Sequence, residues 1–188
     1  MTKDEARGIV AELVRRGTQW SPQVPTPKQA HFLALDHEEA LFGGAAGGGK
    51  SSLLLMGALQ YAHVTGYAAL ILRRTYKDLS LPDAIMDRAH QWLRGRVDWS
   101  SDTKTYTFPS GATLTFGYLD HENDKFRYQG AAFQYVAFDE LTQFSLPQYL
   151  YLHSRLRKPK GMVAPLRVRA ASNPGGIGHD WVYERFVD

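Results

Sequence analysis

The chain has no cysteine in its 188 residues, which excludes a disulfide framework and any thiolate metal site. That composition suits a reducing compartment. No apolar run is long enough to cross a bilayer. Within Met1–Val14 the apolar residues are interrupted by Lys3, Asp4, Glu5, Arg7 and Glu12, so the apolar core of a signal peptide is missing. Acidic residues are absent from one long stretch. Between Leu141 and His179 there is no Asp or Glu, whereas Arg155, Arg157, Lys158, Lys160, Arg167 and Arg169 all fall inside it. Such a region reads equally as a positive surface suited to phosphates or as a solvated basic loop. The net charge of +3 is too small to decide between them.

What is present is an ordinary globular balance, 44% hydrophobic and 22% charged, at a length that suits one domain with a buried core. An amphipathic helix is expected over Asp4–Arg16. The Pro-rich segment Gln19–Lys28 should be extended, and Pro27 should open a helix to about Leu35. Glu39–Phe42 reads as a short strand, Ser51–His63 as an apolar helix, and Tyr67–Leu72 as a buried strand ended by Arg73 and Arg74. Leu81–Arg94 reads as a helix. Thr103–Phe108 and Ala112–Tyr118 alternate with period two around Pro109-Ser110-Gly111, a hairpin signal. Strand Tyr135–Phe138, a helix near Leu146–Leu156, strand Leu166–Ala171 and a helix near Asp180–Val187 complete the series. Strands alternating with helices predict an α/β fold: a mostly parallel sheet flanked by helices on both faces, with an inserted β-hairpin. The expected organisation is an N-terminal helical segment over 1–19 and one domain over 20–188.

Two motifs carry chemistry. Gly44-Ala45-Ala46-Gly47-Gly48-Gly49-Lys50-Ser51 satisfies the pattern G-x-x-x-x-G-K-[ST], between a strand and a helix as a phosphate loop requires. Glycines let consecutive backbone N–H groups turn inward around an anion. Lys50 supplies a point charge to the β- and γ-phosphates, and Ser51 a hydroxyl to Mg²⁺. The helix that begins there directs its positive end at the phosphates. Ser52 reads as a contributor or simply as a helix-start residue. The second motif is the apolar strand Tyr135-Val136-Ala137-Phe138 ending in Asp139 and Glu140. An Asp at a strand end can hold Mg²⁺ beside the loop hydroxyl, and an adjacent Glu can polarise an attacking water. A kinase has no use for that second acid; a hydrolase or motor does. These residues predict a P-loop nucleoside triphosphate hydrolase using ATP and Mg²⁺.

With both motifs placed, the chain from about Trp20 onward resembles the ATPase domain of the large terminase subunit, the DNA-packaging motor of tailed bacteriophages. The resemblance is carried by Thr26-Pro27-Lys28-Gln29 with Phe32, by the loop Gly43–Ser52 and by Arg127-Tyr128-Gln129-Gly130. It continues through Phe138-Asp139-Glu140-Leu141-Thr142-Gln143-Phe144, Ala171-Ser172-Asn173-Pro174-Gly175-Gly176 and His179-Asp180-Trp181-Val182.

The resemblance implies that Gln29 reads the adenine edge with Trp20 or Phe32 packing nearby, that Ser172 and Asn173 sense the γ-phosphate and couple hydrolysis to motion, and that Arg127 is an arginine finger. Many relatives carry an Arg inside the phosphate loop, where this chain has Ala45 and Ala46. That leaves Arg73 and Arg74 as competitors of Arg127. The implied partners are double-stranded DNA, a portal protein, a small terminase subunit and further copies in a ring, with no membrane, in the cytoplasm of the infected bacterial host. The nuclease domain of full-length relatives has no counterpart in these residues, and no nuclease activity is expected of them. A helicase-like DNA-dependent ATPase, a P-loop kinase and a non-catalytic nucleotide-binding assembly module remain the alternative readings.

Overall fold

The computed structural model describes residues 11–12, 19–44 and 49–188. The helix expected over Asp4–Arg16 lies almost wholly outside them, although Ala11 and Glu12 are helical. Ala45, Ala46, Gly47 and Gly48 of the phosphate loop also fall outside.

Helix α1 (Pro27–Ala34) starts where the sequence puts it. Pro27 occupies the first turn, and Thr26 and Gln29 satisfy each other's backbone N–H groups in a reciprocal capping box. Strand β1 (Glu39–Gly43) leads into the loop and helix α2 (Lys50–Leu59). α2 is apolar almost all round, so it is a central helix with no solvated face: Leu53, Leu54, Leu55, Met56, Ala58 and Leu59 are buried. β2 (Ala68–Arg73) follows.

The helix expected over Leu81–Arg94 starts later, as α4 (Ile85–Leu93), and a short helix that the sequence reading did not expect, α3 (Tyr76–Ser80), precedes it. Pro82 sits in the turn between them, and Asp83 adopts a left-handed φ of 64° that a continuing helix cannot contain. A three-residue strand that periodicity could not reveal, β3 (Asp98–Ser100), precedes β4 (Thr105–Thr107) and β5 (Thr113–Tyr118). A 3₁₀ helix (Glu122–Tyr128) connects to β6 (Tyr135–Asp139). A second short 3₁₀ turn (Leu141–Gln143) and α5 (Leu146–His153) lead to β7 (Arg167–Ser172) and α6 (His179–Phe186).

The seven strands form one sheet in the order β1-β7-β6-β2-β5-β4-β3. The first five are parallel, and β4 and β3 extend the sheet antiparallel. The hairpin is therefore the outer end of the main sheet, since β5 pairs with β2 along its whole length. Alternate residues of the central strands feed separate cores. Ala69, Ile71, Tyr135 and Ala137 pack on the α2 side, while Leu70, Leu72, Val136 and Phe138 pack against Tyr149 and Leu152 of α5 and Val182 of α6. Both faces are covered, as a parallel sheet requires.

One expectation about charge is corrected by β7. Of the basic residues between 155 and 169, Arg167 and Arg169 are interior, 6% and 2% exposed. Arg169 donates to the main-chain oxygens of Leu35, Glu38 and Val168 and lies over the Phe32 ring; Arg167 lies over Tyr61. Burial pushes the Arg169 guanidinium down to about 10. Arg157, Lys158 and Lys160 remain exposed.

Candidate active site

Parallel pairing places three strand ends on one edge. Gly43 of β1 is level with Ser172 of β7, and Asp139 of β6 is level with Ala171. The residues that follow, Gly44, Asn173 and Glu140, thus emerge side by side at the carboxyl ends of the strands, where ligands of open α/β sheets bind. Because β7 lies between β1 and β6, it carries Asn173 between the lysine and the acid.

The contacts follow from that placement. Lys50 Nζ donates to Gly44 O at 3.1 Å and to Asn173 Oδ1 at 2.9 Å. The main-chain N and Nδ2 of Asn173 donate to the two oxygens of the Glu140 carboxylate at 3.2 and 3.3 Å. One residue therefore bridges the phosphate-loop ammonium and the candidate water-activating acid. Ser51 Oγ donates to the Asp139 carboxylate, 3.0 and 3.2 Å from its two oxygens. Asp139 is 1% exposed, and burial raises its pKa against the opposing pull of Arg73, Ser51 and Lys50. A carboxylate disfavoured by its surroundings gains from a cation, and a hydroxyl beside a carboxylate is a donor set suited to Mg²⁺.

Glu140 adopts φ 62° and ψ 60°, a left-handed conformation costing about 1–2 kcal/mol for a residue with a Cβ. The kink turns its side chain back toward Asn173, so the strain falls on the candidate water-activating acid.

Arg73, a competitor for the finger role, enters the site from the end of β2. Its Nε lies 2.9 Å from Asp139 Oδ2 without aiming its N–H at that oxygen. Arg74 is structural, donating to Leu119 O and Gln148 Oε1. Arg127 is not in the cleft. Its half-exposed side chain pairs with Asp124 at 2.9 Å and lies 4.8 Å above the Tyr118 ring.

Gln29 is buried. Its Oε1 accepts from Thr26 N at 2.8 Å and its Nε2 donates to Gly49 O at 3.0 Å, so the amide is oriented beside the phosphate loop with one donor and one lone pair left over. Gly49 has a left-handed φ of 69°, and a Cβ there would lie 2.6 Å from Gln29 Nε2. Phe32 packs edge-on against Phe42 beside an apolar hollow of about 450 Å³ lined also by Pro27, His31 and Leu35. Trp20 is elsewhere, edge-on to Phe108 with Arg96 above it, so its expected place beside Gln29 is corrected.

Thr142 is a site residue that pattern reading passed over. Its hydroxyl shares a 2.8 Å hydrogen bond with Ser172 Oγ and donates to Asn173 O at 3.1 Å, and its N–H donates to Ser172 Oγ at 3.2 Å. Gly178 N donates to Thr142 O at 2.8 Å. The segment after Glu140 and the segment after β7 are thus knitted together. Arg73, Glu140, Thr142, Asn173 and Gly176 line a polar cleft of about 370 Å³ between them.

Residues 41–180 match the family described as the terminase large subunit, T4likevirus-type, N-terminal. No curated protein matches. Among solved structures, the large terminase of a thermophilic bacteriophage aligns over 92% of this chain and 41% of its own, with a TM-score of 0.61 and 16% identity. In complex with ATP-gamma-S that terminase aligns over 87% of this chain and 37% of its own (TM-score 0.53, 18% identity). The HK97 bacteriophage large terminase aligns over 92% and 38% (TM-score 0.61, 15% identity). A mutant ATPase domain of the Thermus phage P74-26 large terminase aligns over 85% and 68% (TM-score 0.56, 15% identity). The chain spans about two fifths of the length of the first two terminases.

Proposed function

The chain belongs to the large terminase subunits, matching the N-terminal part of the T4-like type, and on that footing we propose that it hydrolyses ATP to drive double-stranded DNA into a viral procapsid. The observation that carries this reading is the series of hydrogen bonds that joins Lys50, Asn173 and Glu140 at the strand ends, beside the Ser51–Asp139 pair. The ATP-gamma-S complex of a terminase with this fold supports the nucleotide class.

Residues Gly44–Ser52 hold the phosphates, with Lys50 exchanging its Asn173 contact for the terminal phosphate. Ser51 and Asp139 would hold Mg²⁺, which would neutralise phosphate charge when bound. Glu140, aimed by Asn173, accepts the proton of the water that attacks the γ-phosphorus as the bond to the β-phosphate oxygen breaks. Ser172, Asn173 and Thr142 carry the change at the γ-phosphate into the loop before α6. Gln29 spends its remaining donor and acceptor on the adenine edge.

Arg127 acts as the finger on a neighbouring copy's nucleotide. Its half-exposed position outside its own cleft supports action in trans within a homo-oligomeric ring. DNA is gripped by backbone phosphates, with the exposed Arg157, Lys158 and Lys160 as the electrostatic surface. A portal protein and a small terminase subunit complete the machine, in the host cytoplasm.

The test is Glu140→Gln in the assembled motor with DNA. Phosphate release should fall roughly 10²–10⁴-fold while nucleotide binding is kept. Unchanged release removes Glu140 from its role.

A further inference from the structure

Ser52, one residue past the metal-binding hydroxyl, is 1% exposed. Its Oγ accepts from Arg88 Nη1 at 2.5 Å. A guanidinium offers only donors, so this bond takes a Ser52 lone pair and leaves the hydroxyl proton to be given elsewhere. Among the described residues no acceptor takes it.

Arg88 is held from behind. It projects from α4 with 19% side-chain exposure, and its Nη2 donates to Asp83 O and Oδ1, each at 3.2 Å. Asp83 is itself fixed, its N–H donating to Asp87 Oδ2 at 2.9 Å. The turn between α3 and α4 thereby braces the first turn of α2 through one side chain.

Direction decides which phosphate this concerns. Lys50 reaches Asn173 and Ser51 reaches Asp139, the groups that the proposed function assigns to the terminal phosphate and its metal. Ser52 is turned roughly 100° further round the helix, toward α4. With the terminal phosphate assigned to those groups, the phosphate left for the Ser52 proton is the one nearest the nucleoside.

We propose that Arg88 is a positioning residue for nucleotide binding: it fixes the Ser52 hydroxyl so that its proton is presented to the α-phosphate. The inference rests on the nucleotide-binding reading above and adds to it a residue that no phosphate-loop pattern contains. Arg88 touches no phosphate itself.

The experiment uses the two diastereomers of ADPαS, each with sulfur, a poor acceptor, in place of one non-bridging α-oxygen. Dissociation constants are measured by calorimetry in EDTA, so that metal preference for oxygen does not contribute. The wild-type chain should discriminate between the diastereomers by roughly tenfold, the worth of one hydrogen bond to a charged oxygen. Ser52→Ala and Arg88→Met should each bring that ratio close to one, and the double variant should lower it no further. Arg88→Gln decides the matter if Arg88→Met does not fold, with the same result expected. A wild-type ratio retained in the Arg88 variants but lost in Ser52→Ala makes Arg88 merely structural and overturns the proposal. A ratio retained in Ser52→Ala overturns it too. A wild-type chain that binds no ADP at all instead defeats the nucleotide-binding reading on which it stands.

Discussion

Asn173 donates twice to the carboxylate of Glu140, from its main-chain N at 3.2 Å and from Nδ2 at 3.3 Å. Its third polar atom, Oδ1, is taken by Lys50 at 2.9 Å. A carboxylate held on both oxygens has little freedom to rotate, which is what a water-activating base requires. On the proposed reading, a terminal phosphate that draws Lys50 away deprives Oδ1 of its partner, which would make Asn173 a reporter of phosphate occupancy at one end and of base orientation at the other.

Asn173→Ala separates those functions. The side chain's grip on Glu140 and on Lys50 is lost, while the phosphate loop itself is untouched. The expected outcome is a fall in phosphate release of roughly tenfold or more with ATP-gamma-S affinity within a few-fold of wild type. Parallel turnover and calorimetric titrations check this. Equal losses in both would mean that Asn173 serves binding alone.

Gly176→Ala tests how tightly the loop after β7 must dock. Gly176 has φ 94°, and a Cβ there would stand 2.5 Å from Thr142 O. Backbone strain alone costs about 1–2 kcal/mol, and at this chain length a fall of several degrees in Tm, roughly 2–8 °C, should follow. Thermal melting followed by circular dichroism measures it. An unchanged Tm would show that the loop can leave Thr142 without cost.

Glu39 makes stability depend on acid. A bidentate hydrogen bond from Arg185, both contacts at 2.8 Å, is the largest cause lowering its pKa below 4.5, joined by Tyr149 and His153. A carboxylate with a lowered folded pKa stabilises the native state above its unfolded value, and that contribution fades as pH falls through the folded pKa. Glu39→Gln should thus melt below wild type at pH 6, with the gap closing as pH drops below about 4.5. Burial raises the pKa of Asp139 and gives it the opposite slope, but it is common to both proteins and cancels in the difference. A gap independent of pH would remove the ionised carboxylate from the account.

The sequence made the chemistry easier to read than the placement. A strand, eight motif residues and an apolar helix announce the phosphate loop because each residue type has a local reason. The same holds for an apolar strand ending in two acids. Asp139 and Lys50 share a site because parallel strands end on one edge, and that much follows from the motif order. Strand order is a non-local matter: β7, last in the chain, enters the sheet between β1 and β6, and only this makes Asn173 a bridge.

Arg167 and Arg169 looked like surface residues by charge. The alternation Arg-Val-Arg-Ala in fact placed both arginines on one face of a strand, and carbonyl oxygens and aromatic rings receive them there. Arg88 gave no signal, and Thr142 none beyond its place in the segment that carries the resemblance, because each acts through a partner distant in sequence. Three-residue β3 and five-residue α3 are too short for periodicity to register.

The central claim is that Lys50, Ser51, Asp139 and Glu140 form one site for a Mg²⁺-bound nucleoside triphosphate. Calorimetric titration of the 188-residue chain with ATP-gamma-S and Mg²⁺, beside Lys50→Ala, tests it without requiring turnover. The account predicts saturable binding by the wild type and a loss of roughly a hundredfold or more in the variant, the cost of removing a charged partner from buried phosphates. Equal affinity in the two proteins, or no binding by the wild type, would contradict it.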